Sequence, residues 1–386
     1  MSRPGALALS GIATDVDVIA LRRAALCILL ASKLTAGWGL GWDIRWHVLI
    51  GRDSFWIPPH VLIYASVAVA VIVSLGVIAV ETRAARKSRP APGAITLLGL
   101  VGTRGFHLAW LGMALVILAA PIDDLWHRLF GPDITLWSPP HLLGLLGAQV
   151  NTLACLLIAR ETWPAGSPAH PQGGPKRAIA MVLATTFLFG TFAIGTDPSW
   201  RIAFLHGGLY FFTWPVLAAL LFAFSLVLGA RLSGLRWAPV AVVLLGFVTQ
   251  LSIIAVANAG FALLQPVSMI QEVLAADDGT SPIAVAHEMA RRNGTPIGGS
   301  ALPRVFPVVG AALLALVDAR RRPRAASLAF GAGVLIVMLP RMLGSAALAH
   351  VLPDATTMAA GIALTLAAAV AGGWLAARLA DRVAAR

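Results

Sequence analysis

Two stretches of this chain carry the same polar residues at nearly the same spacing. The first holds Asp43, Trp46, His47, Gly51, Asp53, Pro58, Pro59 and His60; the second holds Asp123, Trp126, His127, Gly131, Asp133, Pro139, Pro140 and His141. A single residue inserted before the second pair of prolines brings all eight positions into register. Residues four apart on a helix share a face, so Asp43 with His47, and Asp123 with His127, would present an oxygen and a nitrogen to one point. His60 and His141 each follow a Pro-Pro pair. That pair suits the first turn of a helix, where a missing amide hydrogen costs nothing. The positive end of such a helix disfavours imidazolium and favours the neutral ring that binds metal.

One carboxylate and two imidazoles suit copper, with iron and zinc as alternatives, and the lack of sulfur ligands argues against clusters and thiolate sites. Three protein ligands leave coordination positions open, as a catalytic metal requires. Asp43, His47, His60, Asp123, His127 and His141 are therefore the expected ligands, with Asp53 and Asp133 orienting the histidines. Trp46, Trp56, Trp126 and Trp137 are candidates to line a pocket, although Trp at span ends also serves as an interfacial anchor. A purely structural role for the Asp-His contacts is the competing reading. Seven of the nine histidines, these four with His206, His287 and His350, fall on one side of the expected topology.

The elements that must position these residues belong to a membrane protein. The chain has 386 residues, 58% hydrophobic and 12% charged, far from the roughly 25% charged residues of soluble domains. Apolar runs of spanning length number about ten, near 22–41, 59–80, 100–121, 138–159, 178–196, 204–229, 237–264, 301–318, 326–349 and 355–378. The expected fold is an all-α polytopic integral membrane protein with a duplicated helix-loop-helix hairpin. Residues 1–160 hold the hairpins with the Asp/His motifs, and 161–386 form a C-terminal bundle with an outer loop near 265–300. That loop carries Asp277, Asp278, His287 and Glu288 and is expected to form a helix or lid. The first ten residues lack the features of a cleaved signal peptide, so the first span is read as an anchor.

The net charge of +12 does not point to nucleic acid, because the basic residues lie in short clusters between apolar runs. Arg22 and Arg23, Arg83 to Arg89, Arg160 with Lys176 and Arg177, Arg231 with Arg236, Arg320 to Arg324, and Arg378 to Arg386 fall on one side if ten spans alternate. The positive-inside rule makes that side cytoplasmic, with both termini there and the Asp/His motifs on the opposite side. The Ala- and Arg-rich composition suggests a bacterial inner membrane, which makes that opposite side periplasmic. Cys27 and Cys155 lie within spans and read as packing residues. Lys33 and Arg341 also fall inside spans, where charge usually faces a bundle interior or a cavity.

Asp43, Trp46-His47, Arg52-Asp53 and Pro58 with His60, leading into an apolar helix, resemble the metal-site segment of the C subunit of the copper membrane monooxygenases, the particulate methane and ammonia monooxygenase family. In that family an Asp, a His four residues on and a second His thirteen further on bind copper near the outer membrane face. The resemblance implies Asp43, His47 and His60 as copper ligands, and Asp123, His127 and His141 in the second copy, where the last spacing is one residue longer. It also implies a monooxygenase-like oxidoreductase acting on a small or lipophilic substrate with dioxygen, in the lipid bilayer and within a homo- or hetero-oligomer. A copper or other metal delivery or transport protein, and a non-metal structural or solute-binding membrane protein, are the alternative functions. The near absence of acidic residues within the spans disfavours transport more than delivery.

Overall fold

The computed structural model describes residues 17–51, 54–130, 138–163, 174–194, 205–297 and 306–384. The first element, α1 (Val18–Ile50), starts where the Asp17 carboxylate accepts the amides of Ile19 and Ala20, at 3.0 and 3.1 Å, and so caps two orphan donors. It ends at Gly51, which adopts φ 77° and lets the chain leave the helix in a left-handed conformation. The helix is continuous through Asp43 and His47, which places them one turn apart on the same face. Both Pro-Pro pairs open helices, α2 (Pro58–Ala85) and α4 (Pro139–Thr162). Between those two lie α3 (Arg104–Phe130) and, ahead of it, a β-hairpin.

That hairpin pairs β1 (Ala94–Leu97) with β2 (Leu100–Thr103) antiparallel, with Leu97 opposite Leu100. It departs from the expected third span near 100–121, whose first residues form β2 instead of helix. Leu98 and Gly99 form its turn with φ 53° and 76°, the pair of positive values that a two-residue hairpin turn requires. The β-branched Ile95, Thr96, Val101 and Thr103 favour the extended strands, but in an apolar stretch they read as the start of a helix.

The remaining helices are α5 (Gly174–Ile194), α6 (Thr213–Ser233), α7 (Ala238–Leu264), the short α8 (Ile270–Ala276), α9 (Pro282–Arg292), α10 (Phe306–Val317), α11 (Pro323–Leu343) and α12 (Ala355–Ala384). Among the described residues, eight helices are long and apolar enough to cross a membrane: α2 to α5, α6 with the helical turn before it, α7, α11 and α12. The architecture is an all-α membrane bundle. Two of the ten expected spans are not among the eight. One is α1, a 33-residue helix that carries Arg22, Arg23, Lys33, Asp43 and Arg45. The other is α10, which is apolar but shorter.

The strongest packing joins α1 to α2, α3 to α4 and α6 to α12. The α1–α2 pair is closed at three levels. At one end Arg22 donates from Nε and Nη2 to both Glu81 carboxylate oxygens at 2.7 Å, and from Nη1 to the Pro92 carbonyl at 3.0 Å. In the middle Thr35 and Ser66 share a hydroxyl hydrogen bond of 2.7 Å. At the other end Asp43 meets His60. Arg22 and Asp43 lie 21 residues apart, as do His60 and Glu81. At 1.5 Å per residue both separations come to about 32 Å, the thickness of a hydrocarbon core.

The α3–α4 pair follows a similar plan. Glu161 accepts the Gly105 amide at 3.2 Å near the start of α3, and Asn151 donates to the Ala109 carbonyl at 2.9 Å. Gly112 and Gly147 face each other so closely that a β-carbon on either would lie within 2.7 Å of the other's carbonyl oxygen. Small residues at such a crossing let two backbones approach in lipid. The most enclosed span is α6 with the helical turn Gly208–Phe212 before it, 67% of whose apolar window is buried, with Phe211, Phe212, Phe222, Leu226 and Val227 inside the core.

Candidate functional site

At the C-terminal end of α1, Asp43 and His47 face α2 while Trp42 and Trp46 face α7. Trp46 stacks on Phe261 with ring centroids 5.9 Å apart, and Trp42 meets the same ring edge-on at 6.2 Å. A β-carbon at Gly260 would overlap the Trp42 ring, so glycine is what admits it. Arg45 donates to the Asn258 side-chain oxygen at 2.9 Å and lies over Phe261. Trp46 is thus a packing residue between α1 and α7, which corrects its expected place in a pocket. Trp56 is 72% exposed beside Phe55 and Tyr64, as an interfacial anchor would be.

The Asp43 carboxylate oxygen Oδ1 sits 3.2 Å from His60 Nε2 and 3.4 Å from His47 Nδ1. Its atom is buried and accepts no hydrogen bond of good geometry among the described residues. His60 Nδ1 lies 3.1 Å from the Ser54 carbonyl oxygen. A carbonyl only accepts, so Nδ1 carries the hydrogen and a neutral ring turns its Nε2 lone pair toward the Asp43 carboxylate. Two electron-rich atoms facing each other at this distance require a cation between them, either a proton on His60 or a metal ion. Ligands about 2.0–2.2 Å from one metal stand roughly 3.0–3.4 Å from each other. Asp43 and His60 have that separation.

His47 lies close by, with its ring centroid 6.4 Å from that of His60. Its Nδ1 is 3.0 Å from the Asp43 main-chain oxygen and so carries a hydrogen for it. His47 therefore does not complete a three-ligand set with its ring in this orientation. Consistent with this, no group of three or more His, Cys, Asp or Glu stands in a metal-holding arrangement among the described residues. Asp43 and His60 thus turn an oxygen and a nitrogen toward one point, while His47 stands beside them with Nδ1 held by its own helix.

The second copy repeats the central contact. Asp123 Oδ1 lies 3.4 Å from His141 Nε2, with both side chains about 30% exposed. His127 sits on α3 four residues after Asp123, and its side chain lies outside the described residues. Asp53, Asp133 and Trp137 also lie outside them. Of the weaker candidates, Lys33 is half-buried on α1, Arg341 is exposed near the end of α11, His206 packs against Tyr210 and His350 is exposed. Cys27 and Cys155 are free thiols, one exposed and one buried.

The segment from Ser268 to His287 docks on the helix that carries Asp43 and His47. Ser268 Oγ donates to the Leu49 carbonyl at 2.6 Å, the Met269 amide to Ile50 at 2.7 Å, and His287 Nε2 to Val48 at 3.0 Å. These are the carbonyls that the end of a helix leaves without partners. The expected helix or lid is thus two helices, α8 and α9, forming a polar cap on α1. Glu288 is tied to Arg291 and Arg292 at 2.6–2.7 Å, and those hydrogen bonds hold its carboxyl down at about 2. Residue types alone did not single out Ser54, Ser268 and Met269, because Ser54 and Met269 act through main-chain atoms. Tyr64, one turn beyond His60 and 5.9 Å from it, was legible from helical spacing.

Two open cavities lie beside α11 and α12, at the opposite end of the bundle. Fold and site together define a helical membrane protein with two Asp–His contacts at the same end of two helical hairpins. Comparisons with protein-family models, curated proteins and solved structures found no match.

Proposed function

We propose that this chain is a membrane metalloprotein that binds copper, with iron and zinc as alternatives, at the Asp/His motifs of its two hairpins. The ligands are Asp43, His47 and His60 in the first and Asp123, His127 and His141 in the second. The observation that carries the proposal is the buried Asp43 oxygen facing His60 Nε2 at a ligand–ligand distance, a contact made again by Asp123 and His141. Ser54 orients His60 by accepting its Nδ1 hydrogen, the kind of outer contact that fixes a ligating histidine.

The reaction class rests on the resemblance to copper membrane monooxygenases. A redox-active metal bound there would supply dioxygen chemistry, making the protein a monooxygenase-like oxidoreductase. Phe55, Trp56 and Tyr64 offer an aromatic surface beside His60 to a small or lipophilic substrate arriving from the bilayer. The arginine-rich loops support an orientation with both termini cytoplasmic and the Asp/His motifs periplasmic in a bacterial inner membrane. The eight candidate spans with α1 and α10 support the ten-span topology, and the two matched hairpins support an internal duplication.

A second reading is favoured by the same contacts. With His60 and His141 protonated, each would form an ion pair with its aspartate and clamp a hairpin without metal. Elemental analysis of detergent-purified protein after loading with copper, iron or zinc separates the two. The metalloprotein binds stoichiometric metal and loses it in His60→Ala/His141→Ala, whereas wild-type protein that retains none leaves only the clamp.

A further inference from the structure

Helices α11 and α12 run side by side with little between them. A β-carbon at Gly331 would lie 2.9 Å from that of Ala369, and one at Gly373 would overlap the Ser327 side chain. Where small residues bring two helices this close, the larger side chains flanking the seam stand up as walls. Leu328 on α11 and Leu366, Val370 and Trp374 on α12 form an open apolar groove of about 520 Å³ on the outside of the bundle. From Leu366 to Trp374 the helical rise is about 12 Å. Leu328 and Trp374 are 47% and 38% exposed, so the groove faces whatever surrounds the protein.

At the end where α11 begins, the groove opens into a recess of about 470 Å³ that shares Arg324 and Trp374 with it. The recess is ringed by Arg231, Arg322, Arg324 and Arg378 against one carboxylate, Asp381. Asp381 is taken by Arg231, which also donates to the Arg320 carbonyl at 3.2 Å. Arg322, Arg324 and Arg378 have no carboxylate partner among the described residues, and Arg378 stands 5.2 Å from the centroid of the Trp374 ring. Three guanidinium groups around one recess repel one another until an anion joins them. The positive end of α11 adds to the same field.

We propose that this recess and groove together seat one anionic phospholipid, its phosphate among Arg322, Arg324 and Arg378 and an acyl chain along Leu328, Leu366, Val370 and Trp374. The basic recess explains selection for negative charge, since juxtamembrane arginines attract anionic headgroups. The continuous apolar groove explains why the ligand is a lipid rather than a free anion. The site lies at the opposite end of the bundle from Asp43 and His60 and is independent of any metal there.

The test uses full-length protein in neutral detergent and lipids brominated on the acyl chain. The chain has 12 Trp, so the contribution of the groove is the quenching lost in Trp374→Phe. Brominated phosphatidylglycerol is expected to quench that component saturably, and brominated phosphatidylcholine to need about tenfold more. Arg324→Gln/Arg378→Gln should weaken phosphatidylglycerol by about tenfold or more while leaving phosphatidylcholine unchanged. Inorganic phosphate should not displace the brominated lipid. Equal quenching by the two lipids, or unaltered binding in the double variant, would overturn the proposal. Displacement by phosphate would reassign the recess to a free anion. Size-exclusion profiles matching wild type establish that the variants are folded, and Leu328→Phe, which narrows the groove without adding an indole and keeps every arginine, is expected to weaken quenching independently.

Discussion

Two pairs of opposite polarity close the ends of α1 and α2, and their surroundings differ in a way that separates structure from chemistry. Arg22 and Glu81 have side chains 0% and 1% exposed, and each guanidinium nitrogen of Arg22 has a partner. Asp43 and His60 remain 16% and 18% exposed, with one buried oxygen poorly satisfied. The first pair is therefore expected to behave as a structural lock. Arg22→Met strands the Glu81 carboxylate in a buried site and should cost about 3–5 kcal/mol, whereas Arg22→Met/Glu81→Leu should recover most of the loss. Unfolding of the purified protein in detergent measures both. A single variant as stable as wild type would contradict the lock. From sequence, Arg22 was read only as part of a basic cluster, because its partner lies 59 residues away and no local pattern connects them.

Among elements, the connections show how short turns hold long helices in register. Asp318 links α10 to α11 with φ 65°, an uncommon conformation for a residue other than glycine. Its carboxylate accepts from Arg320 Nε and Nη2 at 2.9 Å, and Arg320 Nη1 reaches the Gly234 carbonyl between α6 and α7 at 2.7 Å. The Arg320 hydrogen bonds, with help from nearby arginine charge, hold the Asp318 carboxyl down at about 2. A carboxylate whose folded value lies below its unfolded value stabilises fully above the unfolded value, near 3.9, and loses that contribution as pH falls toward the folded one. Asp318→Asn should therefore flatten the acid dependence of stability between about pH 4 and 2. Unfolding midpoints of both proteins across that range test it, and parallel curves would count against the assignment. The αL turns at Gly51 and Gly234 were foreseeable from their glycines, but Asp318 has no such mark.

For the whole molecule, the decisive feature is the separation of charge. Arg22 and Glu81 stand about 32 Å of helix from Asp43 and His60, so the arginine-bearing ends and the Asp–His contacts occupy opposite faces of a bilayer-thick bundle. If the arginine-rich face is cytoplasmic, green fluorescent protein fused after Arg386 should fluoresce, and alkaline phosphatase at the same place should be inactive. A cysteine at Trp56 should react with an impermeant maleimide added from outside. The reverse pattern would invert the orientation and place the Asp/His motifs on the cytoplasmic side. The same polarity sets the anionic-lipid recess at the face expected to carry basic residues.

The sequence by itself determined the class of structure and the candidate site: apolar runs of spanning length, a repeated Asp/His motif and helix starts at Pro58 and Pro139. These are local properties, settled by hydropathy, by residues four apart on one turn and by a proline's missing hydrogen. Only the tertiary structure decided that Trp42 and Trp46 turn to α7 while Asp43 turns to α2, and that residues 268–287 cap α1. It alone also paired Arg22 with Glu81 and opened a groove beside α11 and α12. Helices such as α2 and α7 are apolar on every side, so no stripe in their sequence names the face that packs. That choice falls to shape, to the glycines that admit a neighbouring helix or ring, and to polar groups that find partners only once distant helices meet.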